Sequence, residues 1–236
     1  VRYYVKAYNA TKKETAKYQN KETDEILTYY KLLGVKTLGA DNVYINGSRN
    51  KFMDSYLDSM ISDTKVGTGL PPCTAVDKSE DTDLNGKSLV TSRLRDTDVE
   101  TLSIKDNKNG TVTLTIKPKA VQMSSPGADA QGRFFSTLGP LYDTFDQMLK
   151  QNGGKWTTGN AKKNLHMNYT GGTGTITINT SSGKITKATY NMKVNVDVQH
   201  VTISGMKNQR VQLRVIVKDT FPMSQELFDS SNLERL

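Results

Sequence analysis

The chain has 236 residues, of which 35% are hydrophobic and 24% charged, and this length is enough for one domain with a sizeable core. No apolar run approaches the ~18 residues that a membrane-spanning helix needs, which excludes a transmembrane segment. The net charge is +8, but 24 of the 32 basic residues are Lys. Because specific phosphate recognition relies on the paired hydrogen bonds of Arg, we expect an anionic cell-wall or membrane surface as partner and no specific nucleic acid.

The beginning of the chain and its cysteine content bear on location. The first residue is Val1 and not Met, so we expect that a signal peptide or lipid anchor has been removed. The single cysteine, Cys73, allows no internal disulfide. The richness in Thr, Asn, Ser and Lys is typical of exported proteins, and we predict an extracellular or cell-surface location.

Helical spacing dominates the pattern of residues 1–70. A first helix is predicted over residues 1–20, and a second over residues 24–38, although Gly34 and Gly39 interrupt its end. A third helix is predicted after Ser48, a good N-cap, and ends at Gly67. Its apolar residues come in adjacent pairs every four positions: Phe52, Met53, Tyr56, Leu57, Met60 and Ile61.

A hairpin and one more helix follow. Leu102 and Ile104 alternate with polar residues before the turn signal Asn109-Gly110, and the same alternation resumes after it, through Ile116. Residues 133–150 place Phe134 and Phe145 on one helical face. Pro140 lies within the first two turns, so the regular part of this helix can begin only after that residue.

The longest periodic stretch is residues 185–203. From Ala188 to Val198 every even residue is apolar and every odd residue is polar, which predicts a long strand with one buried face and one solvated face. The phase of this alternation changes at His200, as a β-bulge requires. A further strand is predicted around Val211 to Val217.

These elements predict a single α+β domain over residues 1–236. It comprises a mainly helical part (1–70), a sheet with one inserted helix (98–221) and a tail (222–236). The sheet is expected to be curved and antiparallel, with about six strands and the amphipathic helices packed on one face. Its other face, with Lys187 and Lys193, is expected to meet water.

Candidate chemical sites are few. Asp81, Asp83 and Asn85 match the first half of a calcium loop, but Ser92 stands where such a loop needs a bidentate Glu. A solvated turn is therefore the preferred interpretation. We find no catalytic motif and expect neither an enzyme nor a cofactor. Trp156, the only tryptophan, is interpreted as a lid over the core edge, with a sugar-stacking platform as the alternative.

A resemblance to a known group lies in the order of these segments. YNATKKETAK in residues 8–17, LPP in residues 70–72, residues 98–117 and residues 176–198 resemble a domain of unknown function. That domain recurs in exported proteins and lipoproteins of Gram-positive gut anaerobes. A looser resemblance links the chain to lipoprotein-carrier-like folds, in which helices cover a curved sheet that binds lipid. The first resemblance implies an exported location, and the second implies an apolar groove.

Two functions follow as hypotheses. The first is a non-catalytic binding or interaction module with an apolar groove for a lipid-like or other small ligand. The candidate groove residues are Tyr190, Met192, Val194, Val196, Phe52, Tyr56, Met60, Phe134 and Phe145. The alternative is a structural cell-envelope module that contacts anionic wall polymers or partner proteins and has no ligand cavity.

Overall fold

A computed structural model describes residues 1–12, 15–30, 34–68, 70, 83–84, 87–88, 91–203 and 205–236. The fold is α+β and dominated by one antiparallel sheet that curls into a half-barrel. The helices are α1 (Arg2–Lys12), α2 (Lys51–Ile61), α3 (Tyr142–Gln151), α4 (Ala161–Asn164) and α5 (Gln225–Asp229), with a 3₁₀ turn at Asp96–Asp98.

The strands follow in chain order. The first nine are β1 (Thr15–Asn20), β2 (Ile26–Tyr30), β3 (Gly34–Ile45), β4 (Ser48–Arg49), β5 (Asp63–Thr68), β6 (Asp83–Leu84), β7 (Lys87–Ser88), β8 (Val99–Asp106) and β9 (Thr111–Pro118). The remainder are β10 (Val121–Gln122), β11 (Lys155–Trp156), β12 (Leu165–Tyr169), β13 (Thr173–Asn179), β14 (Ile185–Ile203), β15 (Met206–Phe221) and β16 (Leu233–Arg235).

The main sheet is built around β14, as the alternation in the sequence predicts. Its strand order is β4-β3-β15-β14-β13-β9-β8, and β5, β10, β11 and β12 add short segments beside it. In the described part of the chain the sheet therefore has eleven strands, more than the six predicted. The additional strands are mostly short segments, several of only two residues, too short to carry a readable period.

The buried face of β14 holds the core. Tyr190, Met192 and Val194 are 0–1% exposed, and each such side chain stabilises the fold by roughly 1.5–3 kcal/mol. Helix α1 packs on this face: the hydroxyls of Tyr4 and Tyr190 are 2.9 Å apart. The ring of Phe134 contacts Tyr4 and Tyr190 at centroid distances of 5.6 and 5.3 Å.

Residues 24–38 contradict the predicted second helix, because they contain β2 and the start of β3. Pairing with β15 runs from Val35 to Ile45 and satisfies the backbone of β3 from that side. Gly34 and Gly39 disfavour a helix and are tolerated in the strand. The predicted first helix likewise ends early, at Lys12, and β1 follows it.

Helix α3 begins at Tyr142 and not at Arg133. Gly139 adopts a φ of +73°, which a helix cannot accommodate, and Pro140 removes a backbone donor. The preceding segment is fixed by a buried ion pair, in which Arg133 Nη2 and Nε donate to Asp98 at 2.6 and 2.8 Å. Burial acts to raise the pKa of Asp98, but the Arg133 guanidinium and the Arg95 N–H outweigh it and hold this pKa below its usual value.

Helix α2 covers the free edge of β3. Its N-cap is Asn50, not Ser48, and the Asn50 side chain accepts a hydrogen bond from the Met53 N–H at 3.0 Å. Asp54 accepts from the Val43 N–H at 2.7 Å, and Asp58 accepts from the Ala40 N–H at 2.8 Å. These carboxylates occupy the stretch of edge between the parts of β3 that pair with β4 and β5.

Strands from the two ends of the chain form a small second sheet, in the order β16-β1-β2. After the cis peptide bond between Phe221 and Pro222, helix α5 leads into β16. A minor cluster joins these elements, made of the side chains of Tyr18, Leu233, Met223 and Phe228. The tail at residues 222–236 thus contributes a strand to this small sheet.

Candidate functional site

The proposed groove residues on β14 lie under a filled interior. Tyr190, Met192 and Val194 are covered, and Val196 is 8% exposed. Above them, Phe134 is 0% exposed and meets the ring of Phe135 at 4.8 Å. Side chains of the protein itself therefore occupy the space next to this part of the sheet.

A glycine makes this close packing possible. A Cβ placed on Gly174 in β13 would come within 2.5 Å of the Phe134 ring and 3.2 Å of the Tyr190 ring. Any larger residue at this position would push Phe134 away from the sheet. The absence of a side chain at Gly174 thus leaves the space on β13 that the Phe134 ring occupies.

The groove candidates that were predicted to lie on helices do not lie together in the structure. Phe145 on α3 is half-buried and packs against Trp156 at a centroid distance of 5.9 Å. Trp156 Nε1 donates to Asp146 Oδ1 at 2.7 Å, an arrangement that fits the lid interpretation of Trp156. Phe52, which we expected to face the core, is 79% exposed, so this expectation is wrong. Tyr56 and Met60 lie on α2, and their side chains fall outside the described residues.

One charged pair lies inside the filled face and was missed from the sequence. Asp219 stands opposite Tyr190 on β15 and is 3% exposed. Lys36 Nζ lies 3.8 Å from Asp219 Oδ1, an ion-pair distance too long for a hydrogen bond. Burial raises the pKa of Asp219 to about 6, although Lys36 acts in the opposite direction. The signal was present, because Asp219 continues the buried positions Val215 and Val217.

The two histidines lie at the surface. His166 is exposed on β12, opposite Asp197. His200 lies where the pairing of β14 with β15 shifts, and its φ is +55°, which confirms the predicted bulge. His200 Nδ1 is 2.6 Å from Asn208 Oδ1.

The candidate metal loop cannot be placed. Asp81 and Asn85, together with Cys73, lie outside the described residues, and Asp83 is described as the first residue of β6 without its side chain. Among the residues that the structure does describe, no group of three or more His, Cys, Asp or Glu side chains converges. No helix within the same residues is long and apolar enough to cross a membrane.

The outer face of the main sheet gathers lysines and threonines from five strands. Lys187 pairs with Thr177, which pairs with Thr113, which pairs with Lys105. Directly opposed residues share a face, and so do residues two positions apart on a strand. We call this surface the Lys/Thr face: Lys105, Lys117, Lys187, Lys193, Lys218, Thr113, Thr115, Thr173, Thr175, Thr177, Thr189 and Thr220.

The lysines of this face differ in their partners. Lys117 Nζ bonds to Glu100 Oε1 at 2.9 Å. Within the described ranges, no carboxylate lies at ion-pairing distance from the other four: Lys105, Lys187, Lys193 and Lys218. The central row of the face consists of hydroxyls, because Thr115, Thr175, Thr189 and Thr220 oppose one another across β9, β13, β14 and β15.

The far end of the same outer face is neutralised. Arg214 donates twice to Asp41, at 2.6 and 2.8 Å. Arg210 donates twice to Asp197, at 2.7 and 2.8 Å. The Arg residues here pair with carboxylates of the protein itself, whereas four of the five lysines on the Lys/Thr face have no carboxylate partner in the described part of the chain.

Comparison with known proteins gives no relative: no protein-family model, no curated protein and no solved structure matches the chain.

Proposed function

We propose that the chain is a non-catalytic, exported interaction module that binds an anionic polymer of the cell envelope through the Lys/Thr face. The observation that carries this proposal is the strand register, which brings five lysines to one open face of the sheet and leaves four of them without a carboxylate partner among the residues that the structure describes. The resemblance to a domain of exported Gram-positive proteins supports the location.

The spacing of the lysines favours a polymer over a small anion. Lys187 and Lys193 are six residues apart on β14, which corresponds to about 20 Å. Lys105 and Lys187 are separated by three strand spacings, about 14 Å. A single phosphate can bridge at most neighbouring lysines, such as the diagonal pair Lys193 and Lys218, whereas a chain of phosphodiesters can neutralise all of these lysines in turn.

The residue types suit repeated, nonspecific contact. A Lys ammonium is a strongly hydrated point charge, so it attracts anions without imposing the paired geometry of Arg. The threonine hydroxyls between the lysines can donate to and accept from a polymer backbone. Exposed charges of this kind are screened within ~10 Å at 0.1 M salt, so the affinity should fall as salt rises.

The groove hypothesis draws less support from the geometry. A lipid-like ligand on β14 would have to displace Phe134 and Tyr4 from Tyr190, and these three side chains are all 0% exposed. The contact surface is therefore assigned to the outside of the sheet.

The test is binding to poly(glycerol phosphate), with a fluorescent fatty acid as the competing probe. The face variant changes Lys105, Lys187, Lys193 and Lys218 to Gln. Its control variant changes Lys150, Lys155, Lys162 and Lys163, which are exposed and lie on or beside α3 and α4. Both variants lose the same charge.

At about 50 mM salt the face variant should bind the polymer roughly tenfold or more weakly, since each Lys near an anionic surface contributes about 1 kcal/mol. The control variant should retain most of its affinity. Equal losses of polymer affinity in both variants would show that net charge alone, and not the Lys/Thr face, determines binding. Saturable binding of the fatty acid without binding of the polymer would favour the groove hypothesis instead.

A further inference from the structure

Strand β8 ends the main sheet and leaves apolar side chains uncovered. In the described part of the chain β8 pairs only with β9. Leu102 and Ile104 are 38% and 63% exposed, although their partners Ile116 and Leu114 on β9 are 0% and 1% exposed. The apolar inner face of the sheet thus continues onto an edge strand, whose outward N–H and C=O groups are available for pairing.

We propose that β8 pairs in an antiparallel manner with β8 of a second copy of this chain, about a twofold axis at Ser103. The two main sheets then continue into each other. A twofold contact of this kind is closed, because each copy uses its own β8 edge and leaves none for a third copy.

The sequence of β8 selects this register. In an antiparallel pair related by a twofold axis, directly opposed residues must lie on the same face of the sheet. This holds only when the axis passes through a residue position and not between two residues. With the axis at Ser103, Leu102 of each copy opposes Ile104 of the other. With the axis at Leu102, Ile104 would oppose Glu100, and with the axis at Ile104, Leu102 would oppose Asp106. The Ser103 register alone sets both exposed apolar residues against apolar residues.

The charges tolerate the same register. Lys105 of the second copy would oppose Thr101, next to Glu100. Glu100 of each copy would oppose Asp106 of the other, which is unfavourable for two carboxylates. Each carboxylate already has a cation of its own chain, since Asp106 bonds to Lys108 Nζ at 2.9 Å and Glu100 bonds to Lys117 Nζ at 2.9 Å, and these cations offset the repulsion.

The other end of the sheet is protected from this kind of pairing. There the Asp54 and Asp58 carboxylates of α2 accept from the β3 backbone. A bridge between β8 strands alone buries less than the ~1,200 Å² of a standard interface, so the dimer should be weak and concentration-dependent. It would align the outer faces of the two copies side by side, but it does not depend on polymer binding.

Disulfide trapping tests the register. In a Cys73→Ser background, Ser103→Cys places one thiol opposite its own copy, at the ~4.5–5.5 Å Cα separation of an antiparallel pair, which suits a disulfide. Thr101→Cys and Lys105→Cys serve as matched controls, since neither residue opposes itself in this register. Oxidation should cross-link the Ser103→Cys protein roughly tenfold faster than either control. Equal rates in all three would overturn the proposal.

Sedimentation velocity tests the association itself, on the unaltered chain at up to about 1 mM. Ile104→Lys should weaken the dimer roughly tenfold or more. Met206→Lys is the control, because Met206 is 54% exposed at the start of β15, away from β8. A monomer throughout this range, or equal weakening by both substitutions, would overturn the proposal. Failure of the unaltered chain to bind poly(glycerol phosphate), with the dimer intact, would overturn the proposed function alone.

Discussion

The inner and outer faces of the main sheet are formed by the same strands but have different roles. On the inner face, alternate residues of β14 are almost fully buried against α1 and the segment around Phe134. On the outer face, the intervening residues present lysines and hydroxyls. The difference separates stability from contact, so a change on one face should leave the property of the other intact.

The largest expected effect compares two phenylalanines that share a sequence prediction. Phe134 is 0% and Phe52 79% exposed. Phe134→Ala should lower the free energy of unfolding by about 3–5 kcal/mol, because it leaves a cavity between Tyr4 and Tyr190. Phe52→Ala should change it by less than about 0.5 kcal/mol. Urea denaturation of both variants measures these changes. Similar losses of unfolding free energy in the two variants would contradict the burial of Phe134 between Tyr4 and Tyr190.

A smaller effect concerns the buried carboxyl of the inner face. The pKa of Asp219 is about 6 in the folded protein, against about 3.9 in an unfolded chain. Between pH 4 and pH 6 the folded state binds more protons at this group than the unfolded state does. The contribution of Asp219 to the free energy of unfolding is therefore greatest below pH 4 and falls as the pH rises to 6. The loss at neutral pH amounts to about 3 kcal/mol.

Asp219→Asn should remove that pH-dependent loss. Other carboxyls shift with pH as well, so the quantity to measure is the difference in unfolding free energy between the two proteins at pH 4, 5, 6 and 7. The variant should gain relative stability as the pH rises. A difference that stays constant with pH would contradict the raised pKa of Asp219.

The next smaller effect on stability is expected at the edge of β3 that α2 covers. Asp58→Ala removes the acceptor of the Ala40 N–H and should cost about 1–3 kcal/mol. Ser55→Ala is the control, because Ser55 is exposed on the same helix. Thermal unfolding of both variants measures the effect, and equal melting temperatures would show that α2 does not protect β3.

The smallest effect on stability belongs to the outer face. Lys187→Gln should change the free energy of unfolding by less than about 0.5 kcal/mol, because its side chain is exposed and has no carboxylate partner within the described residues. Chemical denaturation at low salt checks this value. A loss comparable to that of Asp58→Ala would mean that the Lys/Thr face serves the fold itself.

The sequence predicts the parts of the fold whose pattern is long and local. The eleven-residue alternation of β14, the Asn109-Gly110 hairpin and the phase change at His200 are all present in the structure. Residues 24–38 are not predicted correctly, because a short apolar run fits both periods, and the pairing of β2 with β1 and of β3 with β15 decides between them. The start of α3 depends on Gly139 and Pro140, which outweigh the apolar spacing.

The site is less readable from the sequence than the fold. Phe52 fits a helical stripe, but α2 turns Asp54 and Asp58 toward β3 instead, to satisfy its edge. Alternation alone puts Lys187 and Lys193 on the outer face. That Lys105 and Lys218 join them depends on the pairing register of β8 and β15, which contacts between distant segments determine.

Lysine footprinting tests the separation of the two faces most directly. The protein is acetylated with a limiting amine-reactive reagent, with and without poly(glycerol phosphate), and each lysine is quantified by mass spectrometry. The polymer should protect Lys105, Lys187, Lys193 and Lys218, and leave Lys150, Lys155, Lys162 and Lys163 as reactive as before. Uniform protection of both groups, or protection of the second group alone, would contradict the assignment of contact to the outer face.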